Sequence, residues 1–336
     1  DIRYAFCFPD VYEVGMSYLG MKILYYILNE RKDTYCERVF APWPDMEELM
    51  RKNNISLYGL ESKDPIKSFD FIGFTLQYEM SYTNILNMLN LAGLSVRASD
   101  RGEEDPIIMC GGPCAYNPEP LFDIADMFAL GESEEQMNEI MDLYKKYKGR
   151  KKKFLRAVCH IEGIYVPSLY DVSYNEDGTI REFKPLYDDV PAKITKRIIK
   201  NFNDVVYPDK IIVPYTDIVH DRITLETFRG CTRGCRFCQA GIIYRPVREK
   251  KTSKLLEIAD KLIESTGYSE VSLTSLSICD YSDLKNLVVN FINEHEKDKV
   301  GLSLPSLRID SFSVGLINEI QKVRKTGLTF APEAGS

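Results

Sequence analysis

Residues 231–239 read CTRGCRFCQ, which places Cys231, Cys235 and Cys238 in a Cys-x3-Cys-x2-Cys pattern directly after an apolar segment, TLETF, that is typical of a β-strand. No fourth cysteine follows within forty residues. Structural zinc sites and four-iron clusters both usually take four protein ligands. Three thiolates on one tight loop would hold three irons of such a cluster and leave the fourth iron open to a substrate or cofactor. The spacing therefore predicts an iron–sulfur cluster with one open position.

Two other interpretations of the three cysteines stay open at this point. A remote ligand, Cys279 or His220, could complete a zinc site. The three thiols could also be unrelated to one another.

The cysteine pattern resembles that of the radical S-adenosylmethionine (SAM) superfamily, CxxxCxφC with φ aromatic, and Phe237 fills the aromatic position. The resemblance implies that Cys231, Cys235 and Cys238 bind a [4Fe–4S] cluster. The open iron would chelate the amino and carboxylate groups of SAM. Reductive cleavage of SAM would then give a 5′-deoxyadenosyl radical, chemistry that belongs to the cofactors.

The rest of the second half fits a (β/α) barrel. Its predicted strands are TLETF, EVSLT, VGLSL and GLTF, and polar or turn-rich residues follow each of them. In β/α barrels the active site forms at this carboxyl end of the strands. We expect residues 221–336 to form the first four strands of a radical SAM barrel that is truncated at its C-terminus.

The resemblance also suggests SAM contacts. The family's second-strand motif is Gly-Gly-Glu, whose carboxylate contacts the SAM amino group, and residues 274–277 (TSLS) replace it here with hydroxyls. Ser306 shares the rim with two charged residues that could meet the SAM carboxylate or ribose. For one of these, Arg308, a salt bridge within the barrel is the alternative. The SAM-binding residues implied by the resemblance are Phe237, Ser275, Ser277, Arg308 and Glu333.

The first 150 residues alternate strand and helix patterns, which predicts an α/β domain with a doubly wound, Rossmann-like parallel sheet. The strand segments are Ile2–Phe8, CERVF, FDFIGFTL, IIMC and MFAL. Residues 151–220 are expected to form a β-rich connecting subdomain with a hairpin turn at Asn175–Gly178.

Loops of this first domain resemble a cobalamin site. DVYEVG (10–15) is similar to the Asp-x-His-x-x-Gly signature of cobalamin-binding proteins, with Tyr12 at the histidine position. On its own such a match is also an ordinary strand–helix turn. GGPCAYNPEPLFDIADMFALGESEE (111–135) closely resembles cobalamin-binding radical SAM enzymes. The cobalamin-binding residues implied by the resemblance are Asp10, Tyr12, Gly15, Thr75, Gly111, Gly112 and Pro113.

The chain as a whole resembles a bacterial family of cobalamin-binding radical SAM proteins. RYAFCFPDVYEVGMSYLG, GFTLQYEMSYTNILNML and TFRGCTRGCRFCQAG carry that likeness. It implies three cofactors (a [4Fe–4S] cluster, SAM and cobalamin) and an electron donor of the flavodoxin or ferredoxin type. With Tyr12 in place of the histidine, and His160 and His220 outside the 1–150 domain, Tyr12, water or nothing would lie beneath the cobalt.

We expect a methyltransferase that acts on an unactivated carbon or phosphorus. The alternatives are a non-methylating radical rearrangement or cyclisation, a methylthiotransferase-like RNA modification, and a non-catalytic corrinoid or iron–sulfur sensor. The six remaining cysteines show no second triad, which weakens the methylthio alternative.

Composition limits the partners. The 336 residues carry a net charge of −7, so global charge gives no argument for nucleic acid. A basic run, Lys145–Lys153, is either a solvated helix end or an RNA-facing patch. The nine irregularly spaced cysteines, with no signal peptide and no membrane-length apolar run, favour a reducing, cytoplasmic location. The missing initiator methionine and the abrupt end suggest a segment of a longer chain.

Overall fold

The computed structural model describes residues 1–305, 307, 308, 320, 323, 330 and 331. The chain divides into two units, Asp1–Ile199 and Lys200–Ser336. Of the predicted features, Ser306, Glu333 and most of the strand GLTF lie outside the described residues.

A six-stranded sheet in the order β2-β1-β3-β4-β5-β6 forms the centre of the first unit. Its strands are β1 (Ile2–Phe8), β2 (Thr34–Phe40), β3 (Phe71–Thr75), β4 (Ile107–Gly111), β5 (Met127–Ala129) and β6 (Ile164–Tyr165). The first five are parallel, and β6 pairs antiparallel with β5. The predicted doubly wound α/β sheet is confirmed. Because β2 lies on one side of β1 and β3 on the other, the strand order reverses between β1 and β3.

Helices shield this sheet from solvent. They are α1 (Tyr12–Gly15), α2 (Leu19–Asn29), α3 (Pro44–Lys52), α4 (Tyr82–Leu91), α5 (Ser133–Tyr147) and α6 (Lys151–Val158). Every residue of β3 is buried, as expected for a parallel strand covered on both faces. Apolar residues of α2 at helical spacing, Met21, Ile23, Ile27 and Leu28, are buried, and α2 contacts β1, β2 and α5.

A buried ion cluster explains why residues beyond 150 belong to the first unit. Asp126, just before β5, lies 3.2 Å from Arg101 Nη2 and 3.0 Å from Lys151 Nζ, and it accepts the Ile108 amide. The side chains of the three charged residues are at most 8% exposed. Burial lowers the pKa of Lys151, and the Asp126 carboxylate opposes that shift. The cluster therefore fixes the start of α6 against the sheet.

The expected connecting subdomain over 151–220 is divided between the units. Residues up to Ile199 stay with the first unit because β6 hydrogen-bonds to β5 and α6 packs on α5. Within this stretch, β7 (Tyr170–Tyr174) and β8 (Ile180–Pro185) form the predicted antiparallel hairpin.

The second unit contains a parallel sheet in the order β13-β12-β9. The described strands of the whole unit are β9 (Ile223–Glu226), β10 (Phe228–Arg229), β11 (Arg248–Glu249), β12 (Glu270–Thr274), β13 (Gly301–Ser303), β14 (Leu307–Arg308) and β15 (Phe330–Ala331). Its helices are α7 (Ala240–Ile243), α8 (Thr252–Thr266) and α9 (Leu284–His295). The predicted strands TLETF, EVSLT and VGLSL correspond to β9, β12 and β13, so neighbours in the sequence are also neighbours in this sheet. A short parallel pair, β14 with β15, contains the described end of the fourth.

Removing the anion of the buried cluster tests its importance. Asp126→Ala leaves Arg101 and Lys151 without a carboxylate, and we expect the free energy of unfolding to fall by about 3–5 kcal/mol. Asp142→Ala is the control, since it removes a 65%-exposed partner of Arg31 and should cost no more than about 1 kcal/mol. Urea denaturation measures both. Equal losses in the two variants would contradict the assignment.

Candidate functional site

The loop that carries the three cysteines leaves the carboxyl end of β9 and returns through β11. At its base β10 and β11 pair antiparallel, with Phe228 opposite Glu249. Gly230 has φ +95°, and a Cβ there would lie 2.5 Å from the Pro246 carbonyl oxygen. Only glycine fits at this position, because the two ends of the loop cross there.

The cysteines themselves are accessible to a cofactor. Cys231 and Cys235 are partly exposed and Cys238 is exposed, while the Cys238 amide donates to the Cys235 carbonyl oxygen at 3.0 Å in a tight turn. Three thiolates on one accessible loop form a donor set suited to an iron–sulfur cluster.

A single zinc ion fits these thiols less well. Two sulfur ligands at about 2.3 Å from one zinc can be no more than about 4.6 Å apart. Among the described residues, no set of three ligand atoms that includes a triad cysteine, Cys279 or His220 lies mutually within 4.8 Å. The ligand set that the zinc alternative requires is therefore not brought together among the described residues.

Positive charge surrounds the triad. Arg308 Nη1 lies 3.8 Å from the Cys235 sulfur, and Arg245 Nε is 3.4 Å from the Cys231 carbonyl oxygen. Arg233, inside the loop, pairs with Asp280 just past the end of β12. Hydrogen bonding from Arg233 lowers the pKa of the Asp280 carboxyl. The positive charge of Arg308 lowers it further. Positive charge of this kind suits a loop that would hold an anionic iron–sulfur cluster.

The expected SAM residues that follow β12 have buried hydroxyls. The Oγ atom of Ser275 has no hydrogen-bond partner among the described residues, whereas the Ser277 hydroxyl helps to lower the pKa of the Asp280 carboxyl by hydrogen bonding. Because a buried unpaired polar atom is costly, the Ser275 hydroxyl fits a role in binding a polar ligand group. Phe237 is 77% exposed on the triad loop, where an adenine could stack on it. The structure thus places Ser275, Ser277 and Arg308 at the carboxyl ends of β12 and β14.

In the first unit, the expected residue Asp10 meets Tyr78 at the strand-order reversal. Asp10 follows β1, and its carboxylate accepts the Val11 amide at 2.8 Å and the Tyr78 hydroxyl at 3.3 Å. Tyr78 follows β3, is half-exposed, and has a raised pKa because Asp10 is close. Open α/β sheets bind ligands at such a point.

The β3 and β4 loops lie against each other. Gln77 donates to the Thr75 hydroxyl at 2.6 Å, and the Leu76 amide donates to the Gly111 carbonyl oxygen at 2.6 Å. Gly112 has φ +103°, and a Cβ there would lie 2.8 Å from the Leu76 carbonyl oxygen. The paired glycines therefore permit contact between two loops, and Pro113 then begins a short 3₁₀ turn.

Two of the expected cobalamin residues have a packing explanation. The half-buried Tyr12 ring lies edge-on to Phe40, with centroids 5.1 Å apart, and a Cβ on Gly15 would lie 2.3 Å from the same ring. Between them Glu13 presents a buried Oε2 atom with no hydrogen-bond partner in the described part of the chain. This acceptor suits an amide N–H donor of a ligand.

Several site residues were not predicted from the sequence. They are Glu13, Gln77, Tyr78, Gly230, Arg233, Arg245 and Asp280. Arg233 and Arg245 lie within or beside the cysteine loop, which is the signal that could have indicated them. The Asp10–Tyr78 and Arg233–Asp280 pairs join residues too far apart in sequence for a local pattern to show.

The basic run contributes to the fold. Lys145 pairs with Asp33, Lys148 with Asp70 and Lys151 with Asp126. No helix among the described residues is long and apolar enough to cross a membrane.

Comparisons with known proteins agree with this architecture. A family model described as radical SAM proteins, N-terminal, matches residues 20–167, and one described as radical SAM superfamily matches residues 225–336. An uncharacterised protein of Methanocaldococcus jannaschii is 28% identical over 333 residues, which is 99% of this chain and 60% of that protein.

Solved structures give the same fold. The radical SAM methyltransferase TsrM of Kitasatospora setae, with tryptophan substrate and the SAM analogue aza-SAM bound, matches 96% of this chain with TM-score 0.59 and 13% identity. TsrM with cobalamin and a [4Fe–4S] cluster bound matches 96% with TM-score 0.57 and 11% identity. The chain spans 58% and 57% of these two chains.

The loop contact at Gly112 can be tested by adding one methyl group. Gly112→Ala forces a left-handed residue and a collision with the Leu76 carbonyl, so its loss of stability should exceed that of Gly93→Ala. Gly93 is also left-handed, at φ +67°, but has open space around it, so its substitution should cost only about 1–2 kcal/mol. Thermal unfolding compares the two variants. Equal losses would show that the loops do not meet there.

Proposed function

The chain belongs to the radical SAM superfamily, and we propose that it is a cobalamin-dependent radical SAM methyltransferase. The observation that carries the proposal is the accessible three-cysteine loop at the carboxyl end of β9. The TsrM-like fold over 96% of the chain supports the choice of class.

Cys231, Cys235 and Cys238 would hold a [4Fe–4S] cluster, and the open position would receive SAM. When bound, the cluster supplies the electron that cleaves SAM to an adenosyl radical. The protein holds the sulfurs in a cationic environment through Arg308 and Arg233. Because Asp280 anchors Arg233, the loop carries its charge in a fixed place. A flavodoxin- or ferredoxin-type protein would deliver the electron.

SAM would be oriented by residues of three strand ends. The hydroxyls of Ser275, which is unpaired among the described residues, and of Ser277 would accept hydrogen bonds from the SAM amino group, replacing the family's carboxylate. Arg308 would pair with the SAM carboxylate, and Phe237 would stack on the adenine. Glu333, outside the described residues, would meet the ribose.

Cobalamin would bind at the β1–β3 reversal of the first unit. Asp10, Thr75 and the Gly111–Pro113 loop would contact it, and Glu13 would accept from a corrin amide. Tyr12 occupies the position of the signature histidine, so this loop would offer no imidazole ligand to the cobalt.

His160 belongs to the first unit, contrary to the expectation from the sequence. It lies 3.9 Å from Asp189 and precedes β6, the edge strand farthest from β2. We therefore retain a corrinoid without a histidine ligand, with Tyr12, water or nothing below the cobalt.

Methylthio transfer to RNA is the less favoured alternative, because it would need a second cluster. Cys7, Cys36, Cys110, Cys114 and Cys159 are all buried, and burial raises the pKa of each thiol, that of Cys110 to about 12. Such thiols are poor ligands.

Anaerobic reconstitution with iron, sulfide and hydroxocobalamin tests the proposal. We expect about four irons per chain and one corrinoid with a base-off visible spectrum, followed by SAM cleavage on reduction. Cys231→Ala, Cys235→Ala and Cys238→Ala should each lose the cluster, whereas the control Cys279→Ala should retain it. Iron without cobalt would refute cobalamin binding, and cofactors without SAM cleavage would indicate a sensor. Product analysis separates methylation from rearrangement.

Arg308 should also tune the cluster. Its guanidinium near the Cys235 sulfur stabilises added negative charge, so Arg308→Met should shift the midpoint potential to a more negative value. Arg308→Lys, which keeps the charge, should shift it less. Redox titration without SAM measures the potential. An unchanged potential in Arg308→Met would contradict the contact.

A further inference from the structure

The second unit contains a group of metal-ligand side chains outside the cysteine loop. Asp260 of α8 and Glu294 and His295 of α9 each offer one ligand atom, and the three atoms lie within 4.8 Å of one another. Among the described residues this is the one such group of three.

His295 is unusual in its surroundings. It is 8% exposed, and its ring packs against Phe291 with centroids 4.7 Å apart. Its Nε2 atom is buried and lies 3.1 Å from Asp260 Oδ1, yet neither that oxygen nor any other described group meets hydrogen-bond geometry with it. A buried polar atom that faces a carboxylate without a hydrogen bond to it is costly, unless a third group binds both atoms.

The spacing of His295 Nε2 and Asp260 Oδ1 suits one metal ion. Zinc binds imidazole nitrogen at about 2.0–2.1 Å and carboxylate oxygen at about 2.0–2.2 Å. Two ligand atoms 3.1 Å apart then subtend about 95° at the ion, an angle that common coordination geometries accept. Imidazole with carboxylates is a donor set for zinc and similar transition metals.

The group lies away from the cysteine loop in the β/α order. Helix α9 ends at His295, and β13 begins at Gly301, so His295 is near the amino end of the parallel strands. The cysteine loop leaves the opposite, carboxyl end of β9. In β/α barrels the amino end serves stability.

We propose that Asp260, Glu294 and His295 bind a divalent transition metal, with Zn²⁺ as its probe, that ties α8 to α9. The ion accepts the lone pair of His295 Nε2 and neutralises the two carboxylates. The three protein ligands leave a fourth position to water, as in open zinc sites. The ion holds α8 against α9, and the proposal does not depend on the function of the cysteine loop.

Zinc titration of the full chain by equilibrium dialysis tests this. Asp260→Asn and His295→Gln should each bind one equivalent of Zn²⁺ less than the wild type. The control, Glu257→Gln, changes another carboxylate of α8, paired with Lys254 and Lys261, and should keep the equivalent. Zinc bound by the cysteines is the same in the wild type and in each variant, so it does not affect the difference in bound zinc between them.

Thermal unfolding gives a second readout. Added Zn²⁺ should raise the melting temperature of the wild type and of Glu257→Gln, but not of Asp260→Asn. Asp260 is mostly exposed, so its variant decides the question even if His295→Gln fails to fold. Unchanged zinc stoichiometry in Asp260→Asn would overturn the proposal and leave a plain histidine–aspartate ion pair.

Discussion

The cysteine loop depends on a buried backbone junction at Thr227. This fully buried residue follows β9; its amide donates to the Thr274 carbonyl oxygen at the end of β12, and its carbonyl oxygen accepts from the Lys250 amide at the end of the loop. Both ends of the loop and two neighbouring strand ends therefore meet at one residue. Because the base is fixed in this way, the cysteines can be accessible without the loop being free to open.

Lys250 extends this junction and explains where the second unit begins. The residue is 1% exposed, yet its ammonium donates to the Phe202 carbonyl oxygen at 2.8 Å and lies 3.6 Å from the centre of the Phe202 ring. Tyr281 donates to the Lys250 carbonyl oxygen. A buried charge is tolerated only with such compensation. The segment after Ile199 is thus bound into the second unit by the same lysine that closes the cysteine loop.

Sequence patterns predicted the features that depend on local periodicity. The strands and helices of the first 147 residues, the Asn175–Gly178 hairpin and the order of the barrel strands follow from apolar spacing, and the cysteine loop follows from its own pattern. What the sequence did not show depends on contacts between distant residues. Asp10 meets Tyr78, Lys151 meets Asp126, and Phe40 fills the space beside Gly15, so the unit boundary and the packing role of that glycine became visible only in the fold.

The hydroxyls that replace a carboxylate on β12 change the charge of the site rather than only its shape. A glutamate there would offset the arginines around the triad, whereas serines are neutral. Asp280 supplies the compensating anion, but it is already paired with Arg233. The loop thus keeps a positive excess beside the Cys235 sulfur. Charge of this sign favours the carboxylate of SAM over its amino group, so under the proposed function Arg308, more than the serines, would set the orientation of SAM in this chain.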